Sequence, residues 1–176
     1  MDASELIPRL EAAAPKSILE VGPFGRSQEL ALWIEMKALS AVGRAIATDT
    51  DLPMDWLENI TAMEIEGAIV LSYFLRSSRT GAHLVLRGSL VPAGFEDAVE
   101  VASVSQHWPP AVRLEAELSE LFGIRFSGAT PSARLLPEGW EGFPLRKAYV
   151  FPAEFLGIPH LRAVGKTAPD EHGALT

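Results

Sequence analysis

Cysteine is absent from the 176 residues. That one absence excludes disulfides, thiolate zinc sites, cysteine-ligated iron–sulfur clusters and a Cys nucleophile. Long apolar runs are missing as well. The richest stretches are broken by Glu35, Lys37 and Arg44 before they reach the roughly 18 residues that a spanning helix needs. The start, Met1-Asp2-Ala3-Ser4-Glu5, is acidic where a secretory signal is basic and then apolar, so a soluble, cytoplasmic protein is expected. Basic charge is in short supply: 15 Lys+Arg face 23 Asp+Glu, for a net charge of −8. The deficit lies in residues 1–100, with 8 basic against 15 acidic side chains, whereas 101–176 carry 7 against 8. An acidic chain without a basic stripe is a poor partner for nucleic acid or for an anionic membrane surface.

Recognisable chemistry is scarce too. His83, His107, His160 and His172 are scattered without ligand spacing, so surface or hydrogen-bonded histidines are expected rather than a metal site. There is no G-x-x-x-x-G-K-[ST], no G-x-G-x-x-G and no G-x-S-x-G, and the serines and threonines of 72–80 have no His or Asp relay beside them. The isolated chain reads as no self-contained enzyme, with no catalytic, cofactor or metal residue assigned.

What is present is a core. Hydrophobic residues make up 48% of the chain, enough for one folded domain of this length. Residues 3–14 suit a short helix, in which Pro8 must sit near the first turn or disturb it, and Lys16–Val21 a strand stopped by Gly22-Pro23. Leu30, Leu32, Ile34 and Met36 alternate as in a strand, with a helix expected from Ala38. Ala68–Leu75 is apolar on both faces, as a central strand is. A turn at 77–81 returns it to a partner strand at His83–Val91, and Val99–His107 gives one more. The expectation is an α+β domain over 1–125, its helices packed on one face of a largely antiparallel or mixed sheet.

Past Trp108 the pattern changes. Leu114, Leu118, Leu121 and Phe122 make an apolar helical stripe, with Gly123 placed to end it. Glu115, Glu117 and Glu120 lie on the same helix and are expected to form a solvated or partner-facing acidic side. From Pro131 onward there are six prolines in 46 residues, together with Trp140, Phe143, Leu145, Tyr149, Phe151 and Phe155. Residues 126–176 therefore read as an extended, proline-rich arm that lies along another surface. Within it Arg146-Lys147 suits a guanidinium fork on a carboxylate or carbonyl of a neighbouring subunit better than an anion site.

These residues carry a family resemblance. Trp108-Pro109-Pro110-Ala111, Glu115-Ala116-Glu117, Glu120-Leu121-Phe122-Gly123-Ile124-Arg125-Phe126 and Gly128-Ala129-Thr130-Pro131 are followed by Arg134-Leu135-Leu136-Pro137, Trp140-Glu141-Gly142 and Pro144-Leu145-Arg146-Lys147-Ala148-Tyr149. In order and spacing this resembles the C subunit of the proton-pumping NADH:quinone oxidoreductase, respiratory complex I, a family shared with membrane-bound hydrogenases. Asn59-Ile60-Thr61-Ala62-Met63-Glu64 is a weaker echo. The chain departs from the pattern at Ala116 (usually Arg), Glu120 (Asp), Ala129-Thr130 (near a His) and Ala148 (Asp).

The resemblance implies a non-catalytic scaffold on the cytoplasmic side of the membrane, touching the membrane only through its complex. Its partners would be the D-like chain that helps form the quinone site, and cluster-bearing neighbours. FMN, iron–sulfur clusters, NADH and quinone would belong to the complex, with none bound by this chain. The implied interface residues are Glu115, Glu117, Phe122, Gly123, Gly128, Pro131, Arg134, Pro137, Trp140, Gly142, Pro144, Leu145, Arg146, Lys147 and Tyr149. Trp140 and Leu145 are expected as apolar anchors and Arg146 as the clamp. The equivalent chain of a nickel–iron hydrogenase or formate hydrogenlyase would use the same fold and arm, and a free-standing small-molecule binding protein is a third reading. Co-purifying partners separate the three.

Overall fold

The computed structural model describes residues 3–26, 28–94, 97–130 and 133–159. Five strands form the main sheet: β1 (Ile18–Phe24), β2 (Glu29–Ile34), β3 (Trp56–Ile65), β4 (Ala68–Arg76) and β5 (His83–Leu90), in the order β1-β2-β5-β4-β3. The β1–β2, β3–β4 and β4–β5 pairs are antiparallel, whereas β2 and β5 run parallel. The sheet is therefore mixed. β4 lies inside it, and Ile69, Val70, Leu71, Ser72 and Tyr73 are all buried, as its two-faced apolar sequence requires.

Two strands differ from the expectation. β1 runs through Gly22-Pro23, with Pro23 opposite Leu30, where the sequence suggests a stop. It is an edge strand, one of the few places where a residue without an N–H can sit in a ladder. β3, ten residues long, has no counterpart in the sequence reading. A register shift between Leu57 and Asn59 breaks its period-2 alternation and hides the apolar positions Leu57 and Ile60.

Helices α1 (Ala3–Ala13) and α2 (Leu39–Ala47) cover one face of the sheet. Leu6 and Leu10 of α1 and Leu39, Val42 and Ile46 of α2 share a core with Leu32, Ile34, Ile69, Leu71, Tyr73, Leu84 and Leu86. Pro8 lies within α1 rather than marking its edge. Arg9 ties the helix to the loop after α2 through Asp49 Oδ1 at 2.8 Å and Asp51 Oδ2 at 2.8 Å. Between β2 and α2 a 3₁₀ turn at Met36–Ala38 crosses closely over β5.

A second layer follows. β6 (Val99–Ala102), helix α3 (Ala111–Phe122) and β7 (Ile124–Ser127) form a parallel β–α–β unit. β6 is shorter than the strand expected from Val99 to His107, because residues 103–108 turn back toward α3. Trp108 is buried there, and its indole N–H donates to the Met54 carbonyl at 2.8 Å. β7 spans the expected domain boundary at 125/126, so the arm leaves after Ser127. Beyond it lies a succession of turns and a two-residue ribbon, β8 (Glu154–Phe155) with β9 (Ile158–Pro159).

Gly88 marks the tightest packing of backbone on sheet. A Cβ there would lie 2.7 Å from the Ile34 carbonyl oxygen and would also strike Met36. Gly88→Ala should therefore destabilise the fold by about 1–3 kcal/mol, as overpacking does. An unchanged urea midpoint would disprove this account of Gly88.

Candidate functional site

Four of the interface residues expected from the sequence, Phe122, Gly123, Leu145 and Arg146, meet at the C-terminal end of α3. A helix leaves its last carbonyls without partners and carries partial negative charge there. Gly123, at φ +69, ends α3 in the left-handed conformation, and its N–H donates to Ser119 O at 3.0 Å. The arm supplies donors to two more of these carbonyls. Leu145 N–H donates to Leu121 O at 3.1 Å, and Arg146 Nε donates to Phe122 O at 2.8 Å.

Arg146 Nη2 also donates to Asp97 O at 2.7 Å, just before β6, and the guanidinium lies 4.9 Å from the centre of the Phe143 ring. Phe143 itself rests on Gly123 where any Cβ would collide. Only glycine meets both demands at this position, the positive φ and the contact. Arg146 is 6% exposed. Burial lowers its pKa, with Glu64 and Asp97 opposing, and a guanidinium stays cationic under such a shift. The sequence suggests that Arg146 clamps a neighbouring subunit. Its fork instead closes on carbonyls of its own chain, fastening the arm to the α3 terminus.

Two carboxylates extend this fastening. Glu120 accepts from the Leu135 and Leu136 amides, at 3.0 Å and 2.6 Å. Glu64, at the end of β3, accepts from the Lys147 amide at 2.8 Å. Neither role can be read from the sequence, since a backbone amide leaves no signature in it. The expected acidic side of α3 thus divides into three. Glu120 pins the arm, and Glu117 pairs with Arg113 one turn away at 3.2 Å.

Glu115, expected to face a partner, does not. It is 1% exposed and points inward, where its two oxygens accept from Ser103 Oγ at 2.6 Å and from Val104 N at 2.8 Å. These bonds hold the turn after β6 against α3. Burial raises the Glu115 pKa, and the two hydrogen bonds only partly offset it. The neighbouring Tyr73 phenol is pushed up by its own burial and further by Glu115.

The remaining expected residues divide between the core and the arm. Phe122 is buried in the core, seating α3 with Leu118. Gly128, Arg134, Pro137, Gly142, Leu145 and Lys147 are exposed, Pro144 half-buried. Pro131 lies outside the described residues. Trp140 is half-buried among Tyr149, Phe151 and Phe155, with ring centres 6.4, 6.3 and 5.1 Å away. Trp140, Tyr149 and Phe155, with Glu141 and Glu154, line an open cleft of about 730 Å³. Leu135 and Leu145 are 51% and 53% exposed. Among the described residues, no group of three or more His, Asp or Glu side chains is placed to hold a metal ion, and no helix is long and apolar enough to cross a membrane.

The arm is thus fastened to one helix terminus, with Leu135, Leu145, Val150 and Phe151 turned outward along it. Comparison with known proteins gives the family. Residues 32–155 match the family described as respiratory-chain NADH dehydrogenase, 30 Kd subunit, and the chain belongs to it. The NADH-quinone oxidoreductase C subunit of Roseiflexus sp. (strain RS-1) is 30% identical over 158 residues, covering 88% of this chain and 87% of that protein. The NADH-quinone oxidoreductase C/D subunit of Rhodopseudomonas palustris (strain HaA2) is 30% identical over 84% of this chain but only 26% of its own length. Among solved structures, a chain of the membrane-bound sulfane sulfur reductase, an archaeal respiratory membrane complex, shares the fold. Its TM-score is 0.58 at 22% identity, over 72% of this chain and 71% of that one.

Two substitutions test this geometry. Arg146→Ala should weaken closure of the arm by about 2–3 kcal/mol, the scale of hydrogen bonds to a charged donor. Hydrogen exchange at the Leu145 and Lys147 amides should quicken while β4 and β5 stay protected; equal protection in both proteins would show that Arg146 is no latch. Glu115 titrates in the opposite sense to a salt-bridged acid. Its folded pKa is raised above the usual 4.5, so its contribution is fully present below that value and declines as pH rises through the folded pKa. Relative to Glu115→Gln, the native protein should lose stability across that window, and parallel stability–pH curves would contradict the assignment.

Proposed function

We propose that this chain is the C subunit of an NADH-quinone oxidoreductase: a non-catalytic scaffold on the cytoplasmic side of the membrane that supports electron transfer from NADH to quinone. The observation that carries this reading is the C/D relative, in which a segment matching 84% of this chain makes up 26% of a longer protein. The name of that relative joins C with D. Fusion places the two parts at high effective concentration, and beside this chain a separate D-like protein would take the same place. Cluster-bearing subunits would be its other neighbours. FMN, iron–sulfur clusters, NADH and quinone would be held elsewhere in the complex, consistent with a chain that has no thiolate to offer a cluster.

The contact surface in this reading is the outward side of the arm. Leu135, Leu145 and the Trp140 cleft would receive apolar side chains of the partner, since aromatic anchors in pockets dominate interface energies. Arg146, Glu120 and Glu64 would act beforehand, holding the arm in one conformation and so lowering the entropy lost on docking. The likeness to the sulfane sulfur reductase chain is one of fold and does not favour a hydrogenase-type assembly.

Affinity purification of the tagged chain from membranes of its host tests this. NADH-oxidising and quinone-reducing subunits should be recovered with it. Leu145→Asp should cut that recovery about tenfold, as loss of an interface anchor does, without changing the melting temperature of the purified chain. Recovery with a hydrogenase large subunit, or as a single monodisperse protein, would overturn the assignment.

A further inference from the structure

The helix-free face of the main sheet carries a second set of side chains, away from the arm residues just discussed, with Ser72 and Val85 buried beneath their neighbours. The strand register sets Trp33, Arg87, Ser72 and Thr61 in one row across β2, β5, β4 and β3. Ala31, Val85 and Phe74 form the next row. Successive residues of a strand point to opposite faces, so these rows lie opposite Leu32, Leu86 and Tyr73, which are buried in the core. Phe24 of β1 reaches over this face, its ring 5.4 Å from that of Phe74. Along the outer strand Trp56, Met63 and Ile65 share the face and are 60%, 58% and 41% exposed.

Arg87 stands in the middle of this apolar surface. Its guanidinium lies 5.3 Å from the centre of the Phe24 ring and 5.0 Å from that of Trp33, and Nε donates to Ser72 Oγ at 3.3 Å. No carboxylate of the described residues pairs with it. Glu29 and Glu58 are engaged at one end of this face, 3.9 and 3.5 Å from His83, with Glu58 also 4.0 Å from Arg76, while exposed Glu20 extends the Trp33 row onto β1. In a chain with 23 acidic residues, a half-buried arginine thus lies over two rings with no carboxylate of the described residues on its Nη groups.

Trp, Phe, Met and Arg are the side chains enriched at protein interfaces, and central arginines are frequent hot spots. A guanidinium already fixed by stacking loses little further freedom on binding, and its fork matches a carboxylate with two parallel hydrogen bonds. A nucleic-acid or membrane contact would need several cations, and this face has one at its centre. We propose that the helix-free face docks a neighbouring protein subunit that presents one Asp or Glu ringed by apolar side chains, with Arg87 as its bidentate partner. This surface is separate from the arm and depends on the assembly reading only for the source of the partner. The chain would then bridge two contacts, one through its arm and one through its sheet.

The test uses the complex purified from host membranes, with the photo-reactive residue benzoylphenylalanine in place of exposed Met63. Irradiation should join the chain to another subunit, within a peptide that carries a carboxylate among apolar residues. Arg87→Glu should lower the cross-linked product about tenfold, and replacing that partner carboxylate by Lys should restore it. If Arg87→Glu fails to fold, judged by circular dichroism, the cross-link formed with Arg87 intact decides by itself. Cross-links confined to this chain or to a second copy of it, or a product unchanged by a folded Arg87→Glu protein, would overturn the proposal. A chain that co-purifies with other subunits yet cross-links to none through Met63 sinks this inference alone. A chain recovered by itself sinks the assembly reading as well.

Discussion

The C-terminal end of α3 is an unsatisfied surface of carbonyl oxygens, and much of the molecule beyond Trp108 is arranged to answer it. Gly123 turns the chain and donates to Ser119 O, Leu145 donates to Leu121 O, and Arg146 donates to Phe122 O. Because Arg146 also reaches Asp97 O, the same guanidinium joins the end of the helix to the entry of β6. A lysine in its place would supply charge but not the planar fork that spans two carbonyls. Without these donors the arm would have little to hold it, since it has few buried side chains of its own.

This arrangement separates two tasks that the sequence runs together. Residues 143–147 hold one side of the arm to its own domain. Leu135 and Leu145 turn outward on the other side. The division matters energetically, because a segment ordered in advance pays no ordering entropy when its partner arrives. The Glu115 interactions with Ser103 and Val104 serve the same end from inside, fixing the β–α–β unit whose helix terminus the arm caps.

How much of this is legible in the sequence depends on the kind of signal involved. α3 is plain, because Leu114, Leu118 and Phe122 repeat at helical spacing and Gly123 follows. β4 is plain because both its faces are apolar. β3 is not, since the bulge at Leu57/Asn59 shifts its alternation by one residue. β1 reads as stopping at Pro23 because edge position, which makes that proline harmless, is a property of the whole sheet. The family is legible from 108–149, yet the roles of Glu115 and Arg146 are not. Glu115 is buried against a turn that only the fold of β6 brings near, and Arg146 binds carbonyl oxygens, which every residue possesses.

The parallel pairing of β2 with β5 has a consequence for the order of events during synthesis. β1 and β2 can form a hairpin early, but the other edge of β2 finds its partner only when Leu84–Arg87 meets Leu30–Trp33. Until then that hairpin has an open edge and an uncovered apolar face, the condition in which nascent chains associate wrongly. Closing so long a loop is also slow relative to hairpin formation. The N-terminal third of this protein therefore cannot mature alone, and its folding waits on the chain that follows.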